Sequence, residues 1–242
     1  LGQLEAAATD RTKAIVLTSP NNPTGCVFNP RSLDAVTKFA KAHDIFVICD
    51  DVYTSLVYEG VYKSDEGVHL GFASCYGELR DRIIVCDSFS KPCAMTGWRL
   101  GWVAADAPIS AQIAKMHQYM VSSVPSFVQR AAIRALKEDV APAREVYRRR
   151  RDYVLARVRE IGLDVVEPDG AFYVFPSIEK FGMSSDEFCT RLIAEKGVAL
   201  VPGSCFAAEG FVRLSYCCSM ENLEEGLNRL AAFVQTLEQR SV

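Results

Sequence analysis

The chain has 242 residues, 49% hydrophobic and 24% charged, which is enough apolar matter for a sizeable core and argues against a disordered polymer. A formal net charge of -3 and a pI near 5.7 argue against nucleic-acid and anionic-lipid partners, and no run reaches the roughly 18 apolar residues that span a bilayer. Nine cysteines without C-x-x-C spacing, and histidines isolated at His43, His69 and His117, argue against a disulfide framework or a metal site and suit free thiols in a reducing, cytoplasmic setting.

In chain order, residues 14–18 form a short apolar run that predicts a strand. Ser19-Pro20-Asn21-Asn22-Pro23-Thr24-Gly25 then reads as turn chemistry, with proline stiffening φ, asparagine offering a side-chain acceptor and glycine tolerating left-handed backbone. Helical spacing over 32–42 predicts a helix, and 45–49 a second strand running into Asp50-Asp51-Val52-Tyr53. A third strand over 83–87 leads into Ser88-Phe89-Ser90-Lys91, and 101–105 predicts a short fourth. After Pro108 the pattern turns helical over 109–119, 126–137 and 144–161, and the basic run Arg148-Arg149-Arg150-Arg151 predicts a solvated helix face. Beyond Gly162 come short strands over 163–166, 171–175, 199–201 and 212–216, with helices over 185–196 and 221–237.

Strands alternating with helices predict an α/β fold with a mainly parallel sheet over 1–140, followed by a smaller α+β domain over 141–242. Asn22, Asp50 and the Ser88 to Lys91 segment all fall at strand ends, and in open α/β sheets ligands bind outside the carboxyl ends of the strands. Residue types alone leave other roles open. Lys91 also reads as an exposed lysine in a serine-rich turn, Asp50, Ser88 and Ser90 as helix caps, Asn22 as a turn residue and Arg213 as a surface arginine on a strand. The aromatics of Gly170-Ala171-Phe172-Tyr173 read as core.

Four elements in this order change that balance: Asn22-Pro23-Thr24-Gly25; Asp50-Asp51-Val52-Tyr53; Ser88-Phe89-Ser90-Lys91 with Met95-Thr96-Gly97-Trp98-Arg99; and Val212-Arg213-Leu214-Ser215-Tyr216. Together they resemble the class I/II aminotransferases, fold-type I enzymes that use pyridoxal 5'-phosphate. The resemblance spans nearly the whole chain and implies the C-terminal part of the large cofactor domain plus the small domain. It implies that Lys91 forms the Schiff base, because only an unprotonated primary amine condenses with an aldehyde, and that the released amine then moves a proton. Asp50 would pair with the cofactor's ring nitrogen, Tyr53 and Asn22 with its phenolic oxygen, and Ser88, Ser90 and Arg99 with its phosphate. Arg213 and Asn22 would receive the substrate's α-carboxylate. Asp51 stands where the family commonly has glutamate and is read as structural.

The activity so implied is transfer of an amino group between an L-amino acid and a 2-oxo acid, in a biosynthetic, cytoplasmic homodimer. A β-lyase, a cyclopropane-forming synthase of the same fold, or a non-catalytic module that binds pyridoxal phosphate are the alternatives. The family has a longer N-terminal part than this sequence shows, so the expectation is a fragment with little activity alone.

Overall fold

A computed structural model describes residues 1–58 and 71–240, so His69 lies outside the described residues. The chain divides into two compact units, Leu1–Pro20 with Val27–Pro142 and Asn21–Cys26 with Ala143–Val242. The short segment 21–26 therefore belongs with the C-terminal part.

The first unit runs α1 (Gly2–Ala7), β1 (Ala14–Thr18), α2 (Pro30–His43), β2 (Phe46–Asp50), α3 (Phe72–Cys75), β3 (Ile83–Ser88), β4 (Gly101–Ala105), α4 (Ala107–Val121) and α5 (Ser126–Ala135). Its sheet has the order β1-β2-β3-β4; β1, β2 and β3 are parallel and β4 is antiparallel to β3. Helix α2 starts where Asn29 accepts a bond from the Ser32 amide at 2.9 Å with Pro30 at its first position, and it stops at Asp44 in the left-handed region. Its apolar stripe, Leu33, Val36, Phe39 and Ala40, packs with Leu17, Val47 and Cys49 of the sheet. Each such side chain fully buried contributes about 1.5–3 kcal/mol, so the helix is held by this face rather than by propensity. At the other end of the sheet, β4 leaves Trp102 and Val103 exposed, and none of the residues of α4 is buried.

The second unit holds α6 (Ala141–Glu160), β5 (Tyr173–Val174), α7 (Ser185–Lys196), β6 (Val201–Pro202), β7 (Val212–Ser215) and α8 (Met220–Arg240). Its sheet is antiparallel in the order β5-β7-β6. Helix α7 is capped by Ser184, which accepts from the Glu187 amide at 3.1 Å, and ends at Gly197. The core joins Val154 and Val158 of α6, Phe188 and Leu192 of α7 and Leu227, Leu230 and Phe233 of α8. Phe188 and Phe233 meet edge to face with centroids 5.2 Å apart. Along β7, Val212 and Leu214 are buried while Arg213 and Ser215 are partly open, so Arg213 stands on the face away from the helices' core.

Two expectations change. Residues 163–166 form no strand: Leu163 buries its side chain, but its amide bonds back to Val158 and the carbonyl of Asp164 serves Ser177, which leaves no ladder to extend. The basic run is not a uniformly solvated face either. Arg151 is 6% exposed and donates to the Pro168 carbonyl at 3.1 Å and to Asp152, while Arg148 and Arg149 both bond Glu145 and hold its carboxyl down at about 2. Among the described residues no helix is long and apolar enough to cross a membrane.

Candidate active site

In the first unit the predicted residues gather at the carboxyl ends of β2 and β3. Asp50 closes β2, with Thr18 of β1 on one side and Cys86 of β3 on the other. Ser88 closes β3 opposite Gly101. The turn that follows is pinned at its apolar residues: the amides of Cys93 and Met95 both donate to the Phe89 carbonyl at 3.3 Å, and Phe89, Met95 and Leu100 pack with Val128 and Ala132 of α5. Ser88 Oγ accepts from the Ser90 amide at 3.2 Å, and the Lys91 ammonium lies 5.8 Å from the centroid of the buried Tyr53 ring.

Charge is concentrated here. The Asp51 carboxyl is pushed up to about 7 by burial and then by Asp87 and Asp50, and Asp87 is raised by burial and by Asp50 in spite of its bond from the Ser88 amide. Neither carboxyl, nor that of Asp50, has an ion-pair partner among the described residues. Arg99 adopts left-handed backbone, is exposed, and donates to the Thr96 carbonyl at 2.9 Å. It lines a cavity of about 620 Å³ together with Asp87, Cys86 and His117.

In the second unit Asn22 and Arg213 come together although 191 positions separate them, with Arg213 Nη1 donating to Asn22 Oδ1 at 2.7 Å. The turn is built for this. Gly25 takes a φ of 72°, and its carbonyl accepts from the amides of Asp169 and Gly170 at 3.0 and 2.9 Å, which staples segment 21–26 beside β5. A Cβ at Gly25 would lie 2.4 Å from Pro168 Cβ, so only glycine fits. Within the turn, Thr24 Oγ1 donates to Asn21 Oδ1 at 3.1 Å, which leaves the Asn22 side chain for Arg213.

Sequence reasoning missed three contributors. Asp87 was visible as an acid at the end of an apolar strand, but its closeness to Asp50 and Asp51 comes from strand pairing. Tyr173, read as core, is buried and also sets its ring 4.6 Å from the Arg213 guanidinium. Phe206 stands 4.9 Å from the same group and carried no signal in the sequence.

The family model for aminotransferases of class I and II matches residues 1–230. This chain belongs to that family. An aspartate aminotransferase of Pyrococcus abyssi is 41% identical over 235 residues, covering 94% of this chain and 59% of the relative. Among solved structures, an aromatic aminotransferase of Pyrococcus horikoshii matches with a TM-score of 0.90 at 40% identity, covering 100% of this chain and 64% of that one. Aspartate aminotransferase of Thermotoga maritima matches with a TM-score of 0.87 at 36% identity, covering 97% and 60%. This chain thus spans less than two thirds of the length of the proteins it matches.

Class I and II aminotransferases depend on pyridoxal phosphate, and the donor set of this chain fits that group. Three crowded carboxyls with no ion-pair partner among the described residues suit a positively charged ring nitrogen, two hydroxyls and an exposed guanidinium suit a phosphate, and a half-buried primary amine suits an aldehyde.

Proposed function

We propose that the protein containing this sequence transfers an amino group between an L-amino acid and a 2-oxo acid with pyridoxal phosphate held at Lys91. The observation that carries this reading is the placement of the Lys91 amine 5.8 Å from the Tyr53 ring in the unit where Asp50, Asp51 and Asp87 crowd together.

When bound, pyridoxal phosphate supplies an aldehyde that condenses with amines and a protonated ring that draws electrons from the substrate's Cα. Lys91 would attach the cofactor and, once released, carry the proton at the substrate's Cα, a role worth about 10²–10⁴-fold in rate. Asp50 would hold the proton on the ring nitrogen. Ser88, Ser90 and Arg99 would grip the phosphate through charge-assisted bonds of about 1.5–3 kcal/mol each, keeping the cofactor in place while Lys91 is free. Tyr53 and Asn22 would bond the phenolic oxygen and set the tilt of the ring. Arg213, steadied by Asn22, would take the α-carboxylate in a planar fork that fixes orientation as well as position.

The relatives are named for aspartate and for aromatic amino acids, which makes those the first donors to assay. A homodimer and a cytoplasmic setting belong to the same proposal, to be checked by sedimentation and by cell fractionation. The central test is titration with pyridoxal phosphate. The wild-type chain is expected to develop a visible band that borohydride fixes covalently, and Lys91→Ala to lose it. Equal covalent labelling of the two proteins would refute the assignment. With a labelled amino acid, a keto acid product supports transfer, whereas released ammonia or thiol would point to a lyase.

A further inference from the structure

Arg213 is an expensive residue to place where it is. It rises from the central strand β7 of the small sheet, and its Nε is buried with no hydrogen-bond partner among the described residues. A guanidinium nitrogen taken out of water in this way needs compensation from its surroundings. One polar contact supplies part of it, the bond from Nη1 to Asn22 at 2.7 Å. Two aromatic rings also lie beside it, Tyr173 with its centroid 4.6 Å from the guanidinium carbon and Phe206 at 4.9 Å.

The backbone holds both rings in place. Tyr173 lies on β5 opposite Ser215, so it shares the face of the sheet from which Arg213 projects. Phe206 ends a short helical turn, Gly203–Phe206, that leaves β6 at Gly203. That turn folds tightly against the chain: a Cβ at Gly203 would lie 2.0 Å from the Ala208 carbonyl oxygen and 2.5 Å from that of Phe211, both backbone atoms that cannot give way. Phe206 is further braced by Phe175, edge to face at 6.0 Å. All of these residues belong to the second unit.

We propose that Tyr173 and Phe206 are positioning residues for the carboxylate clamp, two rings that flank the Arg213 guanidinium and leave only its Nη edge to an incoming carboxylate. This rests on the reading of Arg213 as the group that receives the α-carboxylate. With the rings against the guanidinium and Nε shielded, a planar carboxylate can meet it only edge-on. That is the geometry of fork-to-fork pairing.

The test uses the full chain with ¹⁵N-arginine, following the Arg213 side-chain resonance, assigned by its loss in Arg213→Lys, while propionate is titrated in as the carboxylate probe. Wild type is expected to show a saturable shift. Phe206→Leu keeps apolar bulk but removes the ring, and should weaken propionate binding about fivefold. Phe206→Tyr and Tyr173→Phe keep both rings and should bind as wild type does, a rescue that space filling alone does not predict. Phe206→Leu binding as tightly as wild type, or Phe206→Tyr binding as weakly as Phe206→Leu, would overturn the positioning role and leave the clamp standing. A wild-type Arg213 signal that ignores propionate would overturn the clamp and this inference with it.

Discussion

Replacing Asp51 by Asn should make the first unit more stable, and increasingly so as pH rises. In the folded chain the Asp51 carboxyl is pushed up from its ordinary 3.8 to about 7, first by burial and then by Asp87 and Asp50. Below about pH 4 the group is protonated both folded and unfolded and costs nothing. From there to about pH 7 the unfolded chain is ionised while the folded chain keeps its proton, so the folded state binds more protons and stability declines by about 1.4 kcal/mol per pH unit. Above about pH 7 both states are ionised and the penalty is constant. Three units would give about 4 kcal/mol, and sharing of protons among three coupled carboxyls brings the working figure to about 2 kcal/mol. Asparagine cannot ionise and escapes this term. Urea unfolding followed by the fluorescence of Trp98 and Trp102, the two tryptophans, reads the first unit, because both lie in it. The midpoint of Asp51→Asn minus that of wild type should grow between pH 5 and pH 7.5 by about 0.5–1 M urea and then level off. A difference that stays flat across that window, or shrinks as pH rises, would refute the reasoning.

Other outcomes follow from single contacts. Gly25→Ala adds a Cβ within 2.4 Å of Pro168 at a φ of 72°, and should cost about 2 kcal/mol or more while weakening the Asn22–Arg213 contact; thermal unfolding and propionate binding check the two halves. Ser184→Ala removes the acceptor for the Glu187 amide at the start of α7 and should cost about 1 kcal/mol, seen in urea unfolding followed by far-UV circular dichroism, with binding unchanged. Asp50→Asn should still be labelled covalently by pyridoxal phosphate at Lys91 yet turn over at least about 100-fold more slowly in the intact enzyme, measured as single-turnover keto acid release. Full-rate turnover by that variant would remove Asp50 from the chemistry.

Much of the fold was legible because its signals are local. The strand over 14–18 and the helix over 185–196 have the bounds expected, since an apolar run between turn residues and a serine cap with a closing glycine each act within a few residues. The lysine turn was legible as a motif, Ser88-Phe89-Ser90-Lys91, but its anchoring by Phe89, Met95 and Leu100 against α5 was not. The failed strand over 163–166 shows the limit of pattern. Apolar residues were present, but a strand exists only if a neighbour offers a ladder, and none among the described residues pairs with that segment.

The candidate site divides in the same way. Residue chemistry and order along the chain were enough to nominate an amine, an acid, two hydroxyls and two arginines, because those groups act through their own functional chemistry. Their environments were decided by tertiary structure. Asp51 becomes hard to ionise because parallel pairing sets Asp50 against Cys86 and brings Asp87 near, and Arg213 finds Asn22, Tyr173 and Phe206 because sheet register and one glycine turn bring distant segments together. Burial and electrostatic coupling depend on distance through space, which separation along a sequence does not encode.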